Sequence, residues 1–386
     1  MSQNVLAANA AIRASILANS IPVLQNVRSG SLTYSYGVGT TQAVLASNVG
    51  LIRRLWLEIN ATFNCAATYT LTPTMFGLAN MLSNVQFVDQ NNRLRINTTG
   101  THLHMAASQK RRRIFGSAYL STAISDPSGF GVNFNVNQSS GTVSGGTPKS
   151  VSFVYEIPVV ASNHDLTGAV YANQTTSNNQ LQFTINPGMF VYNADSFNAV
   201  FTASAALATA LPTCTSITWV LYQDFLDQLP TDNNGFAVLP PIDISYALCY
   251  QMISPGPIIQ AQDNLYALPP FNVYNDIMLF WDNYGFGGSG PGADVNYIKL
   301  QISNTYVLLQ VDPWVEAIRN RNLIGADFPA KTAVGAVYDL DFRSKPITVG
   351  QLSSTNIVFN PSTVQSIASN LQIGQEYIWF ANQAAA

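Results

Sequence analysis

The sequence predicts an all-β chain of antiparallel sandwiches or barrels, with an N-terminal helix and short helical excursions. Three observations carry this expectation. Short runs with a period of two recur along most of the 386 residues. Clusters of Pro, Gly, Asn and Ser separate the runs. Helical patterns do not alternate regularly with strands, which argues against a doubly wound α/β fold.

Taken in order, residues 2–21 read as a helix rich in Ala, Leu, Ile, Asn and Gln, stopped by Pro22. Val5, Ile12 and Ile16 share one face, with Leu6 and Leu17 beside it. Such a helix packs on its own core or a neighbour, or lies on a membrane surface. The second reading has only Arg13 as a basic contact. From Leu51 to Phe63 the odd positions are mostly apolar and the even ones polar, with Ile52 and Trp56 as exceptions, which predicts a half-buried strand. Residues 85–88 and 93–96 flank Asp89-Gln90-Asn91-Asn92 as a hairpin. Further strand runs are 151–160, 181–185, 217–226, 297–311, 333–342, 357–359 and 377–380. Short helices are expected at 74–83 and 313–322. A turn at Asp232-Asn233-Asn234-Gly235 and the stiff Pro240-Pro241 place an internal boundary near residues 233–241.

Composition narrows the class. Lys and Arg number 17 and Asp and Glu 20, for a net charge of −3 with 10% charged and 47% apolar residues. A typical soluble chain carries about 25% charged residues. The 36 Asn nearly equal all the charged residues together. Disorder, a basic nucleic-acid binder and a coiled coil are all excluded. Surface charge keeps proteins apart, so a chain with so little of it is expected to bury surface against copies of itself. Cys65, Cys214 and Cys249 have no paired spacing and read as buried free thiols of a reducing compartment. No positive charge precedes Arg13, so no signal peptide is expected, and no apolar run reaches the roughly 18 residues of a membrane span.

Few residues suggest chemistry. His102-Leu103-His104 on a strand would set both imidazoles on one face, the spacing of a cupin-type metal pair, but no Glu follows and His164 lies elsewhere. Two structural histidines are therefore expected. Lys110-Arg111-Arg112-Arg113 is the densest charge. It reads as a solvated loop or helix end, or as a contact with an anionic surface or a neighbour's acidic patch. The Gly-rich stretch 285–292 lacks the Lys-Ser/Thr of a phosphate loop. The Asn-X-Ser/Thr sequons at Asn60, Asn97, Asn137 and Asn173 fit chance in so Asn-rich a chain.

A collinear set of segments resembles one family. Phe76-Gly77-Leu78-Ala79-Asn80, the hairpin and His102-Leu103-His104 come first, then Asp165-Leu166-Thr167-Gly168-Ala169-Val170 with Ala172-Asn173. Tyr222-Gln223, Leu226-Asp227-Gln228-Leu229-Pro230, Asn234-Gly235 and Ile242-Asp243 follow. Asn296-Tyr297, Asp312-Pro313, Asp327-Phe328-Pro329, Lys345-Pro346-Ile347, Asn360-Pro361, Gly374 and Glu376-Tyr377 complete the series. Together they resemble the major capsid proteins of tectiviruses, bacterial viruses with a membrane inside an icosahedral shell. The basic run 110–113 is denser than the family pattern, and loops 122–147 and 285–292 match no part of it.

The resemblance implies a double jelly-roll, two eight-stranded barrels in one chain: an arm at 1–25, a first barrel at 26–235 and a second at 236–386. It implies a structural protein without catalytic, cofactor or metal site, forming pseudo-hexagonal homotrimers that tile a capsid. Expected partners are the chain itself, penton, vertex and minor capsid proteins and the inner membrane, with no specific nucleic acid. Its place is the virion, after synthesis in the host bacterial cytoplasm. Val5, Ile12, Arg13, Ile16, Lys110, Arg111, Arg112 and Arg113 are the candidate membrane- or neighbour-facing residues. The rival readings are a β-sandwich receptor- or carbohydrate-binding spike, with Tyr284 and Phe286 on an exposed loop, and a bicupin-like metalloenzyme using His102 and His104.

Overall fold

In chain order the first half runs α1 (Gln3–Asn19), β1 (Ile21–Leu32), β2 (Thr41–Leu45), β3 (Leu51–Asn64), β4 (Leu71–Pro73), a 3-10 turn (Gly77–Met81), β5 (Leu82–Val88), β6 (Leu94–Thr98), α2 (Gly100–Lys110), β7 (Ala118–Leu120), β8 (Lys149–Pro158), β9 (Val170–Tyr171), β10 (Gln180–Ile185), β11 (Phe190–Tyr192), β12 (Phe201–Ala203) and β13 (Thr213–Asp227). The second half runs α3 (Pro241–Ser245), β14 (Tyr246–Ile253), β15 (Asn264–Leu268), β16 (Val273–Asp282), β17 (Val295–Ile302), β18 (Tyr306–Val311), β19 (Gly335–Asp341), β20 (Ile347–Thr348), β21 (Thr355–Pro361) and β22 (Asn370–Phe380). This is a computed structural model, and it describes residues 3–65, 70–74, 76–110, 118–120, 145–146, 148–162, 164–172, 178–192, 198–204, 211–283, 294–303, 306–313, 315–316, 319, 335–350, 354–364 and 370–380.

The strands follow from alternation. Along β3, Leu55, Leu57, Ile59 and Phe63 are buried while Arg54, Glu58, Asn60 and Thr62 are half-buried on the other face. The exception Ile52 has a local cause: the register with β13 shifts between Asp224 and Phe225, and the bulge turns Ile52 into the first-half core while Leu51 faces the cluster of Ile16. The hairpin of β5 and β6 closes as expected. The Asp89 carboxylate accepts from the Asn91 and Arg93 amides at 2.8 and 3.1 Å and from Arg95 Nε at 2.6 Å.

Other expectations are corrected. The run 297–311 is two strands, β17 and β18, broken at Ser303, whose φ is +52°. The helix expected at 74–83 shrinks to the 3-10 turn, because β5 already begins at Leu82. At 313–322, Pro313, Val315, Glu316 and Arg319 are helical and the remainder lies outside the described residues. His102 and His104 sit on helix α2, not on a strand. Residues two apart on a helix point to nearly opposite sides, so the pair shares no face.

Four sheets build the fold. A six-stranded sheet, β1-β13-β3-β8-β7 with β9 on β3, packs with a three-stranded sheet, β11-β12-β4, on the first-half core. A four-stranded sheet, β15-β21-β17-β18, covers one face of the second half. The nine-stranded sheet joins the halves, in the order β19-β16-β22-β14-β6-β5-β10-β2 with β20 on β16. Its seam is a short parallel pairing, Tyr250↔Ile96 and Gln251↔Asn97.

This seam makes the second-half part of the sheet an internal layer. On β16, Ile277, Leu279 and Trp281 face the second core, while Met278 and Phe280 belong to the first. On β19, Tyr338 and Leu340 face the second core and Val337 the first. Helix α2 packs on that first-core side, where the His102 ring lies against Gly374 of β22. A Cβ at Gly374 would come 2.6 Å from the imidazole. Gly374→Ala is therefore expected to destabilise the chain by about 1–3 kcal/mol, the usual range for overpacking. Thermal unfolding reads this, and an unchanged midpoint would show that α2 can shift away from the sheet.

Candidate functional site

The internal layer carries charge on its α2-facing side. Glu376 of β22, Asp276 of β16 and Asp339 of β19 are all buried there. Arg343, just after β19, reaches Asp276 at 2.8 Å and Glu376 at 3.1 Å. Lys110, the last residue of α2, approaches Glu376 Oε1 at 3.3 Å and donates to the Tyr250 hydroxyl. Tyr250 in turn donates to Glu376 Oε2 at 2.8 Å. Gln109 Nε2 donates to Asp339 Oδ2. Burial opposes the charge on Glu376, yet Lys110, Arg343 and the Tyr250 hydrogen bond outweigh it and hold the carboxyl at about 2. Burial lowers the Lys110 pKa, and Glu376 offsets part of that shift. So the first residue of the basic run 110–113 is an inward-facing clamp between the halves, its side chain 22% exposed. Arg111, Arg112 and Arg113 lie outside the described residues.

A second seat holds the N-terminal helix. Ile16 is fully buried with Leu51, Val160, Leu166 and Leu226, and Ile12 and Leu17 pack beside it. Asn9 is buried and bonds α3 twice: Asn9 Nδ2 donates to Asp243 Oδ1 at 2.8 Å, and the Ile242 amide donates to Asn9 Oδ1 at 2.9 Å. Arg13 pairs with Asp165 at 3.0 Å and approaches Asp243 at 3.5 Å. Burial raises the Asp243 pKa, while Asn9 and Arg13 work to lower it. Val5 and Leu6 stand outside this seat, 46% and 51% exposed.

The histidines do not make a metal site. His102 Nδ1 shares a hydrogen bond with Thr98 Oγ1 at 2.7 Å, and its ring lies near Tyr250 and Phe280. His104 faces Phe153, with ring centroids 5.4 Å apart. Burial lowers both to about 4, so both are neutral at pH 7. Among the described residues, no group of three or more His, Cys, Asp or Glu is placed to hold a metal ion. The bicupin reading fails on this geometry, because the two rings lie on different sides of a helix. The three thiols are buried, and burial pushes Cys214 and Cys249 up to about 12.

The exposed faces are poor in charge and dotted with apolar side chains. Phe236 is 71% exposed, at the tip of the turn that links the halves. That turn is pinned by Asp232, whose carboxylate accepts from the Asn234 and Phe236 amides at 2.8 and 2.9 Å. On β18, Tyr306, Val307 and Leu308 are exposed in a row. The loop carrying Tyr284 and Phe286 lies outside the described residues, as do 285–292 and all of 122–147 except residues 145–146.

Two family models match consecutive parts of the chain: P3 major capsid protein N-terminal over residues 1–229, and P3 major capsid protein C-terminal over 258–384. Major capsid protein P3 of Enterobacteria phage PRD1 is 30% identical over 381 residues, covering 97% of this chain and 92% of that protein. The chain belongs to the P3 major capsid protein family.

Solved structures share its fold. The atomic structure of Sulfolobus Turreted Icosahedral Virus matches with a TM-score of 0.61 at 10% identity, over 94% of this chain and 93% of that one. The crystal structure of the major capsid protein P2 from Bacteriophage PM2 matches with a TM-score of 0.51 at 10% identity, over 94% and 99%. The fold is the double jelly-roll of these capsid proteins. The chain is a structural component of the virion shell and not an enzyme. Membership in this capsid family also displaces the receptor- or carbohydrate-binding spike reading.

Within this family member, sequence reasoning missed Asp276, Asp339, Arg343 and Glu376. For three of them a signal was present: Asp276, Asp339 and Glu376 stand inside β16, β19 and β22, each directly followed by a large apolar or aromatic residue. Glu376→Gln is expected to lower stability by about 3 kcal/mol at pH 7, because it leaves the half-buried Lys110 and Arg343 short of their buried counter-charge. A carboxyl held below its ordinary value contributes stability that is present above about 4.5 and lost as pH falls through about 2. The gap between wild type and variant should therefore close in acid. Denaturant midpoints across pH measure it, and a constant gap would show that the charge of Glu376 is not what stabilises the junction.

Proposed function

We propose that the chain works as a homotrimer of pseudo-hexagonal outline, tiling the facets of an icosahedral shell around an internal membrane. The observation that supports this most is that one chain holds two sandwiches joined through a single sheet. Three such chains present six similar units around an axis, and closed cyclic symmetry is the usual way for identical chains to pair unlike surfaces. Within this reading the arm is 1–25, the first barrel 26–235 and the second 236–386. The neutral faces suit assembly, since few charges need desolvation when neighbours meet. Asn and Gln supply interface hydrogen bonds without an ionic penalty, and many weak contacts add through multivalency. Penton, vertex and minor capsid proteins are the further partners in this reading. Light scattering of purified protein should give the mass of three chains, and a stable monomer at micromolar concentration would overturn the reading.

The N-terminal helix is proposed as the contact with the inner membrane, through Val5 and Leu6. Ile12, Arg13 and Ile16 anchor it to its own chain, as the buried Ile16 and the Arg13–Asp165 pair suggest. Removing residues 1–21 would strip Asp243 of its partners and confuse folding with binding. The cleaner variant is Val5→Gln with Leu6→Gln, both at exposed sites, where substitutions usually change stability by no more than about 0.5 kcal/mol. It should keep the trimer and weaken flotation with lipid vesicles, and equal flotation would remove the membrane role from this helix.

A further inference from the structure

We propose that the groove between β6 and the adjoining ends of β14 and β22 binds the anionic headgroup of a phospholipid, with the Arg93 guanidinium on the phosphate and the Trp379 ring beside it. The proposal rests on the reading that this end of the chain faces the inner membrane. β6 and β14 pair only at Ile96–Tyr250 and Asn97–Gln251, and the groove opens where the two strands part. It encloses about 490 Å³. Ala247 and Cys249 of β14 stand opposite Trp379 and Tyr377 of β22, so these four side chains share one face of the sheet and form the floor. Leu94 of β6 and Pro270, after β15, flank them.

The charge in this groove is unusual for the chain. The Arg93 guanidinium lies over the Trp379 ring, 5.4 Å from its centroid, and is in no ion pair. Arg95 also lines the groove, but its charge is balanced inside the protein by Asp89 at 2.6 Å. The groove therefore carries one uncompensated positive charge above an apolar floor. A free anion has no use for the floor, and a hydrocarbon has none for the guanidinium. A molecule with an anionic head and an apolar body uses both. The guanidinium fork matches two phosphate oxygens at once. A Trp ring, apolar with one N–H donor, favours the boundary between water and hydrocarbon.

The strand directions place the groove at the end of the molecule that carries α1. β14 begins at Tyr246, opposite Phe380 at the end of β22, and β6 runs parallel to β14, so its start at Leu94 lies at that same end. α3 leads directly into β14 and is bonded by Asn9 of α1. Arg95 donates to the Gly168 carbonyl, and the Gly168 amide donates to the Asp243 carbonyl at 2.9 Å. A short chain of hydrogen bonds thus joins the groove wall to the seat of α1. Leu94 and Phe271 are exposed at this end, the latter just before β16 begins at Val273 opposite Ile378. They continue the apolar surface that Val5 and Leu6 offer on α1. The helix supplies apolar contact without charge, and the groove adds the contact that distinguishes one headgroup from another.

The test is flotation of the full chain with vesicles of phosphatidylcholine alone, and with vesicles of phosphatidylcholine and phosphatidylglycerol in equal parts. Wild type should prefer the anionic vesicles, and Arg93→Gln should weaken binding to them by about five-fold, the weight of one cation near such a surface. The two proteins should bind the phosphatidylcholine vesicles alike. Arg28→Gln removes another exposed cation, on β1, and should keep the preference. A wild type without preference, an Arg93→Gln that retains it, or an Arg28→Gln that loses as much would each overturn the site. Inorganic phosphate at matched ionic strength should leave the preference in place, and its loss there would mark a free-anion site instead of a lipid one. Val5→Gln with Leu6→Gln tests the helix separately: equal flotation of that variant removes the membrane role of α1 and leaves the Arg93 comparison standing. Fluorescence gives a second reading that does not depend on Arg93→Gln. A lipid with a nitroxide on its headgroup should quench wild type more than Trp379→Phe, and equal quenching would also overturn the proposal.

Discussion

The structure turns on one sheet that has to satisfy two cores at once. β16, β19 and β22 are covered on one face by their own sandwich and on the other by α2 and the first half. A strand in that position has no solvent side, so every polar residue on it needs a partner inside the protein. The chain meets this demand with a compact ionic cluster rather than with apolar residues alone. A buried cluster of this kind adds little net stability compared with well-packed apolar groups, but it is sensitive to geometry. It fits one arrangement of the halves, that in which Lys110 and Gln109 arrive over Glu376 and Asp339.

Half-buried elements were legible in the sequence because burial on one face leaves a period of two. β3, β8 and β10 show it, and their expected positions agree with the structure to within a few residues. β16 was not legible. Its run Ile277-Met278-Leu279-Phe280-Trp281 is apolar on both faces, so no alternation marks it. β1 failed for the opposite reason: it is largely exposed, carries Pro22 and Gly30, and is held by backbone pairing to β13. Gly30 there admits the Trp219 ring, which a Cβ would meet at 2.7 Å.

The charged site shows the same limit more sharply. Lys110 heads a basic run and so looks like the start of a surface patch, and only the fold supplies Glu376 as its counter-ion. His102 and His104 look like a strand pair because a residue spacing of two means one face only if the backbone is extended. The helix separates them, and each becomes a neutral filler of a different wall. For α1 the sequence showed the apolar stripe but not its division of labour. Asn9, unremarkable in so Asn-rich a chain, is the residue that ties α1 to α3.

The parallel contact between β6 and β14 also sets a timetable. Ile96 is synthesised 154 residues before its partner Tyr250, since 250 − 96 = 154. At about 5–20 residues per second, the edge of β6 waits on the order of ten seconds on the ribosome. During that interval the first half has an unfilled core, lacking Leu248, Tyr250, Met278 and Phe280. It also offers an open strand edge, the kind of surface that pairs with other chains. A newborn chain therefore remains adhesive until well after Tyr250 has emerged, because Phe280 of the same core is made later still. In a cell making many copies at once, the crowding of nascent chains becomes a hazard that the finished block no longer carries.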